Sequence, residues 1–323
     1  MKIVRYHEKG PPEVMKVEDA PTPEPGAGEV LFKIEACGIS YGQTLQRGGR
    51  HYPVPITLPH APGGSVAGVI EKVGEGVDKG LVGKRMFGRV AAGGYAEYGV
   101  GPAQGLIEIP DGVSSADVVA CLSDGVTASL ILNKVGQLAP GQSVFVPAAA
   151  GGLGFVAVQL AKLYGAGRVI GAASSEAKRQ VVLALGADAV VDYTQEGWSA
   201  QVKEANGGEG VDLALEMTGG PVFYETLDAV KPGGRVVNYG NASDTDSPIN
   251  PRVLLRKNLT LSGFMGGPYQ VFAPQYRAEV LAFLKDGRLK AQHQTYSLED
   301  APKAHAAIEN RTSTGRQILT PHG

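Results

Sequence analysis

The sequence predicts an α/β chain in which a doubly wound parallel sheet is inserted into a β-rich, barrel-like unit. Three observations carry this. A glycine-rich turn, Gly151-Gly152-Leu153-Gly154, lies between an apolar strand-like run, Ser143-Val144-Phe145-Val146, and a helix-like run from Phe155 to Tyr164. From Ser123 to about Gly263, strand-like and helix-like runs alternate. Before Ala120, short apolar runs are bounded by Gly and Pro turns instead.

The β-rich part contains Val30-Leu31-Phe32-Lys33-Ile34, Val66-Ala67-Gly68-Val69-Ile70 and a turn-and-strand at Gly93–Tyr98. These suggest a compact barrel up to about residue 120. Predicted strands of the second part are Ser143–Val146, Arg168–Ala172, Ala189–Asp192, Val211–Glu216, Arg235–Tyr239 and Leu259–Ser262. Helices are predicted near Phe155–Tyr164, Glu176–Leu185, Trp198–Ala205, Pro221–Val230 and Pro251–Arg256. The strand runs are continuously apolar, which requires cover on both sheet faces. After Gly263 come a helix near Gln275–Asp286 and a last segment, Tyr296–Thr320, expected to rejoin the first domain. Two such domains would form a cleft, where ligands commonly bind.

The chain has 323 residues, 43% of them hydrophobic and 19% charged, which suits two globular domains. A formal net charge of -2 gives no electrostatic case for nucleic acid or an anionic membrane. The start, Met1-Lys2-Ile3-Val4-Arg5, has no apolar signal-peptide core, and no apolar run reads as long enough to span a bilayer. Cys37 and Cys121 cannot build a disulfide framework or a four-thiolate zinc site, and a reducing cytoplasm is expected.

The turn reads as a dinucleotide fingerprint with Ala149, Gly151 and Gly154 at its three positions. The first serves the tight turn, the second lets backbone N–H groups approach a pyrophosphate, and the third seats the helix on its strand. Phosphates would then meet unpaired N–H groups and the positive end of a helix dipole. An acid about 20 residues further on would accept from a ribose 2′-OH and repel a 2′-phosphate. Here the stretch is Ala173-Ser174-Ser175-Glu176-Ala177-Lys178-Arg179, with uncharged Ser174 at the key position. Ser174 and Ser175 can donate, and Lys178 supplies a cation, so NADPH is expected ahead of NADH. Arg179 reads as part of a solvated helix face.

Nearly the whole chain resembles the zinc-free quinone oxidoreductase branch, which includes zeta-crystallin, of the medium-chain dehydrogenase/reductase superfamily. The matching motifs are residues 149–154, Gln159-Leu160-Ala161-Lys162, Pro110-Asp111-Gly112-Val113, Asp124-Gly125-Val126-Thr127-Ala128, Lys231-Pro232-Gly233-Gly234-Arg235 and Gly315-Arg316-Gln317-Ile318-Leu319. The resemblance implies a Rossmann domain over 123–264 and a GroES-like catalytic domain over 1–122 and 265–323. It implies cofactor contacts from Ala150, Gly151, Gly152, Leu153 and Gly154, and from Lys178 and Tyr193 at a 2′-phosphate. It also implies contacts from Thr127 near the nicotinamide, Tyr239, Gly240 and Asn241 at a strand end, Phe264 and Met265 after the last strand, and Arg316 near the phosphates. Zinc-dependent relatives carry a Cys and a later Gly-His-Glu. Cys37 stands at the first position, but the second reads Gly63-Gly64-Ser65, so no metal is expected. Cys37 reads as a buried strand residue and His60 as a loop residue.

Without a metal, the resemblance implies hydride transfer from nicotinamide C4 to a quinone or another conjugated carbonyl. The expected acceptor segment is Gly38-Ile39-Ser40-Tyr41-Gly42-Gln43-Thr44, then Arg47 and His51-Tyr52-Pro53, with Ser40, Tyr41, Gln43 and Tyr52 as candidate catalytic residues. Similar reductases have Asn at the Ser40 position and Asp at the Gln43 position. Tyr41 falls where related polyketide enoyl reductases carry a Tyr proposed to protonate the product, so an enoyl or alkenal double-bond reductase is an alternative. A non-enzymatic crystallin-like or RNA-binding protein is another. A small-molecule partner and a homodimer joined along an edge such as Leu259–Ser262 are expected, and no nucleic-acid partner.

Overall fold

The computed structural model describes residues 1–50, 52 and 54–322. His51 and Pro53 of the expected acceptor segment lie outside the described residues. The chain forms two compact units, Met1–Ser123 with Ala291–Gly323, and Asp124–Lys290.

The second unit is built on six parallel strands ordered Ala189–Val191, Arg168–Ala172, Ser143–Val146, Val211–Glu216, Val230–Asn238 and Thr260–Gly263. Numbered from Ser143, this is the 3-2-1-4-5-6 order of a Rossmann sheet. The apolar runs explain it. Val144, Phe145, Val146, Leu213, Ala214, Leu215, Val236 and Val237 are all buried. Each large apolar side chain buried this way contributes about 1.5–3 kcal/mol. Helix Gly154–Leu163 is buried from Gly154 to Ala161, and Phe145 stacks on Trp198 of helix Trp198–Ala205 at 5.1 Å between ring centres. Strand order reverses between Ser143–Val146 and Val211–Glu216. A ligand crevice is therefore expected outside the carboxyl ends of those two strands.

In the first unit, Glu29–Ile39 is the spine. It pairs antiparallel with Pro62–Val73, with Tyr98–Pro102 and with Arg316–Leu319 near the C-terminus. Arg85–Ala92 extends the sheet from Pro62–Val73, and His293–Tyr296 runs parallel to Arg316–Leu319. The core gathers Phe32, Ile34, Ile39, Val66, Ile70 and Tyr95, with Ala301 and Ala304 from helix Ala301–Glu309.

Two expectations are corrected. The return to the first unit comes at Ala291, not at 265. Helix Ala273–Lys285 stays with the second unit because its apolar face finds partners there: Tyr276 meets Tyr164 edge-on, and Glu279 accepts from the Tyr164 hydroxyl at 3.2 Å. Gln159 then clamps Lys290, donating to its carbonyl at 3.0 Å and accepting from its N–H at 2.8 Å. Second, among the described residues one helix is long and apolar enough to cross a membrane: Ser115–Val135, 21 residues, whose last turns are wound as a π-helix. Its most apolar window is 72% buried inside the protein, as a core helix is.

Candidate functional site

In the second unit the fingerprint turn is a built feature. Ala148 stands at φ 47°, a left-handed conformation that costs a non-glycine residue about 1–2 kcal/mol. The turn is held by Ala149 N–H donating to Ala172 O at 2.9 Å and Gly151 N–H donating to Ala148 O at 2.8 Å. A Cβ on Gly154 would lie 2.3 Å from Ala148 O and 2.8 Å from Ala149 Cα, so only glycine lets the helix sit this close. Ala150 is buried, while Gly151, Gly152 and Leu153 are half-buried at the helix start. First-turn N–H groups lack intrahelical acceptors, so this end can hold an anion.

At the end of strand Arg168–Ala172, Ser174 is half-buried and Ser175 exposed. Ser175 caps helix Glu176–Ala184, its hydroxyl accepting from Lys178 N–H at 3.4 Å. Lys178 is half-buried, and that burial lowers the pKa of its ammonium. Arg179 is not a solvated face residue as expected. It pairs with Glu176 at 3.0 Å and Asp192 at 2.8 Å, tying the helix to the end of strand Ala189–Val191. Tyr193, next along, packs half-buried against the core. Thr127 is half-buried on the Ser115–Ser129 helix.

The rim beside the switch point is organised by a residue the sequence reading missed. Glu216 ends strand Val211–Glu216 fully buried. Its carboxylate accepts from Thr218 N–H at 2.7 Å, Gly219 N–H at 2.9 Å and Asn238 Nδ2 at 2.8 Å. Burial raises its pKa, and the three donors oppose the rise. Asn238 Nδ2 also donates to Gly240 O at 3.1 Å. Burial, then the charges of Glu216 and Asp124, pushes the Tyr239 phenol upward. The signal was an acid closing an otherwise apolar strand, Leu213-Ala214-Leu215-Glu216. A cavity of about 570 Å³ opens beside this rim, lined by Tyr239, Gly240, Asn241, Phe264 and Met265 among others. Five expected cofactor residues thus meet at one cavity, where Phe264 stacks on Tyr269 at 5.4 Å.

In the first unit, Ser40, Tyr41, Gln43 and Tyr52 come together around the start of helix Tyr41–Gly48. Gln43 Oε1 accepts from Ser40 N–H at 2.6 Å and from the Tyr95 hydroxyl at 3.1 Å, while its Nε2 donates to Gly63 O. Tyr41 accepts from Arg50 at 3.3 Å. Gly42 has no side chain, and the Tyr52 ring fills the place: a Cβ there would lie 2.5 Å from it. Tyr52 is 38% exposed. Arg47 departs from expectation. It is 1% exposed and bonded to Gly10 O and Glu309, so it anchors the helix rather than facing an acceptor. Arg316 lies in this unit, beside Gly38 of the spine strand. Tyr95 and His305, both fully buried, were also missed; they share a 3.0 Å hydrogen bond.

The residues do not fit zinc. Cys37 is wholly buried in its strand, and burial pushes its thiol up to about 12, far from the thiolate a metal needs. Around its sulfur stand Gly64 and Gly94, which carry no donor side chain. His60 instead packs edge-on against Tyr6 at 5.4 Å. Among the described residues, no group of three or more His, Cys, Asp or Glu side chains could hold a metal ion.

Comparison with known proteins agrees with this architecture. Residues 26–111 match the family described as alcohol dehydrogenase GroES-like domain, and residues 152–286 match the one described as zinc-binding dehydrogenase. A quinone oxidoreductase of Salmonella typhimurium is 31% identical, over 98% of this chain and 99% of that one. The structure of Escherichia coli quinone oxidoreductase complexed with NADPH superposes with a TM-score of 0.91 at 28% identity, covering 99% and 100%. An NAD-dependent alcohol dehydrogenase superposes with a TM-score of 0.89 at 30% identity, covering 99% of each chain, so the fold by itself does not choose the nucleotide. On motif order, sheet order and these likenesses together, the chain belongs to the quinone oxidoreductase branch of the medium-chain dehydrogenase/reductase superfamily.

Proposed function

We propose that this oxidoreductase moves hydride from NADPH to a quinone or another conjugated carbonyl acceptor. The observation that carries the cofactor choice is the end of strand Arg168–Ala172. Ser174, Ser175 and a half-buried Lys178 stand there, and the key position holds no acid. Two hydroxyls and an ammonium favour a 2′-phosphate, whereas a carboxylate would repel it. When bound, NADPH supplies hydride from its nicotinamide C4, which together with one proton takes a quinone to the hydroquinone.

The chain's own groups bind and orient. The turn from Ala150 to Gly154 offers helix-start N–H groups to the pyrophosphate. Lys178 and Tyr193 hold the 2′-phosphate end, and Arg316 is a further cation for the nucleotide. The Glu216-braced rim keeps Tyr239, Gly240 and Asn241 in place beside Phe264 and Met265, with Thr127 toward the nicotinamide. Ser40, Gln43 and Tyr52 hydrogen-bond the acceptor oxygen, and the half-exposed Tyr52 hydroxyl connects it to solvent for the proton. Zinc enters no step.

Two buried cysteines outside any disulfide suit a reducing cytoplasm, and the edge strand Thr260–Gly263 offers a homodimer contact. One observation favours a second reading, an enoyl or alkenal reductase: Arg50 fixes the Tyr41 hydroxyl, a proton donor for a reduced double bond. Initial rates with a panel of quinones and enones, each with NADPH and NADH, test both. Quinone reduction with NADPH preferred supports the first. Enone reduction without quinone reduction moves the assignment to the second. No fluorescence change of NADPH on mixing would remove the enzymatic reading.

A further inference from the structure

We infer that Tyr95 and His305 are positioning residues that aim the Gln43 side-chain amide at the acceptor carbonyl; this rests on reading the 40–52 segment as the acceptor site. Gln43 lies half-buried in the first turn of its helix, Tyr95 just before strand Tyr98–Pro102, and His305 on helix Ala301–Glu309. They form a chain: Gln43 Oε1 to the Tyr95 hydroxyl at 3.1 Å, and that hydroxyl to His305 Nε2 at 3.0 Å.

Counting hydrogens gives the chain one direction. Gln43 Oε1 already accepts from Ser40 N–H, and its Nε2 already donates to Gly63 O. A flipped amide would set N–H against N–H at Ser40 and oxygen against oxygen at Gly63, so the orientation is fixed. The single Tyr95 hydrogen must therefore go to Gln43 Oε1. The Tyr95 oxygen must in turn accept, so His305 carries its hydrogen on Nε2. The rest of the ring agrees. Burial drives the His305 pKa down to about 3, leaving the imidazole neutral with one hydrogen, and among the described residues its Nδ1 has no hydrogen-bond partner.

With its oxygen engaged, the Gln43 amide retains a second Nε2 hydrogen beyond the one given to Gly63. That hydrogen is a neutral donor on a half-buried side chain whose Nε2 lies close to Gly64. It suits a bare carbonyl oxygen, as on a quinone or enone. Similar reductases carry a carboxylate at this position, which can only accept; Gln43 adds a donor that their Asp lacks. The Tyr95–His305 pair therefore steadies the Gln43 amide from its oxygen side without touching the acceptor.

A double-mutant cycle on KM tests this, with 1,2-naphthoquinone as acceptor and the full-length protein. Tyr95→Phe keeps the ring and removes the donor. It is expected to raise the quinone KM about fivefold to tenfold, the scale of one hydrogen bond. NADPH affinity, read by fluorescence titration, should not move. In a Gln43→Ala background the same substitution should change nothing, because its effect runs through Gln43. An equal effect in that background, or no effect in the wild type, overturns the inference. Should Tyr95→Phe not fold, His305→Leu enters the same cycle with the same expectations, and His305→Gln, which keeps an N–H, should restore the KM. Failure of the wild type to reduce the quinone would count against the proposed activity instead, so the two failures are distinct.

Discussion

Alanine at Gly154 and at Gly151, made one at a time, separates the part of the fingerprint turn that packs from the part that binds. At Gly154 the added Cβ would lie 2.3 Å from Ala148 O, 2.8 Å from Ala149 Cα and 3.0 Å from Ala148 C. The nearest approach is about 1 Å inside ordinary contact, in an interior packed like a crystal. All three atoms are backbone, so no side chain can swing away; the turn or helix Gly154–Leu163 must shift. Overpacking of this kind costs about 1–3 kcal/mol, and the helix preference of Ala over Gly returns at most about 1 kcal/mol. The expected net loss is about 1–2 kcal/mol, a drop in Tm of about 5 °C. At Gly151 the Cβ meets only Ala148 O, at 3.2 Å. A neighbour can yield by a few tenths of an ångström, so stability should change by less than about 0.5 kcal/mol. A pyrophosphate lying against this backbone would be held off by the new methyl, raising the NADPH Kd by about tenfold or more. Thermal melting and NADPH fluorescence titration read both variants. Wild-type stability in Gly154→Ala would refute the packing argument. Wild-type NADPH affinity in a folded Gly151→Ala would refute the phosphate cradle.

Other outcomes follow from the same geometry. Lys178→Ala should raise the KM for NADPH much more than that for NADH, and equal changes would take Lys178 away from the 2′-phosphate. His305 is neutral in the fold, with its pKa moved from 6.5 to about 3, so the unfolded chain binds the extra proton below pH 6.5. Its contribution is full above pH 6.5 and is lost as pH falls toward 3; at pH 5 the loss is about 2 kcal/mol, readable as a falling urea midpoint. The His305→Leu variant should lose that part of the acid slope, and an unchanged slope would assign it to other groups. Activity should survive EDTA and dialysis; loss that zinc restores would reverse the reading of Cys37.

Much of the second unit was legible along the chain because its central strands are buried on both faces. Continuous apolar runs such as Ser143–Val146, Arg168–Ala172 and Val211–Glu216 have no alternative home, and their bounds were met to the residue. The helices between them were found within a residue or two, since Gly and Pro punctuate them. Arg179 and Arg47 were misread for a common reason. A cation's role depends on which acid reaches it, and Asp192 and Glu309 come from other elements of the chain.

The sequence alone determined the sheet, the fingerprint turn and the uncharged Ser174 at the key position, because each is written in local pattern and spacing. Only the tertiary structure decided that helix Ala273–Lys285 belongs with the nucleotide-binding unit, that Glu216 braces its rim, and that His305 reaches Gln43 through Tyr95. Those contacts join residues 22 to 210 positions apart. No local pattern encodes such a pairing; it exists only once burial has removed water and left each polar group to find its partner across the fold.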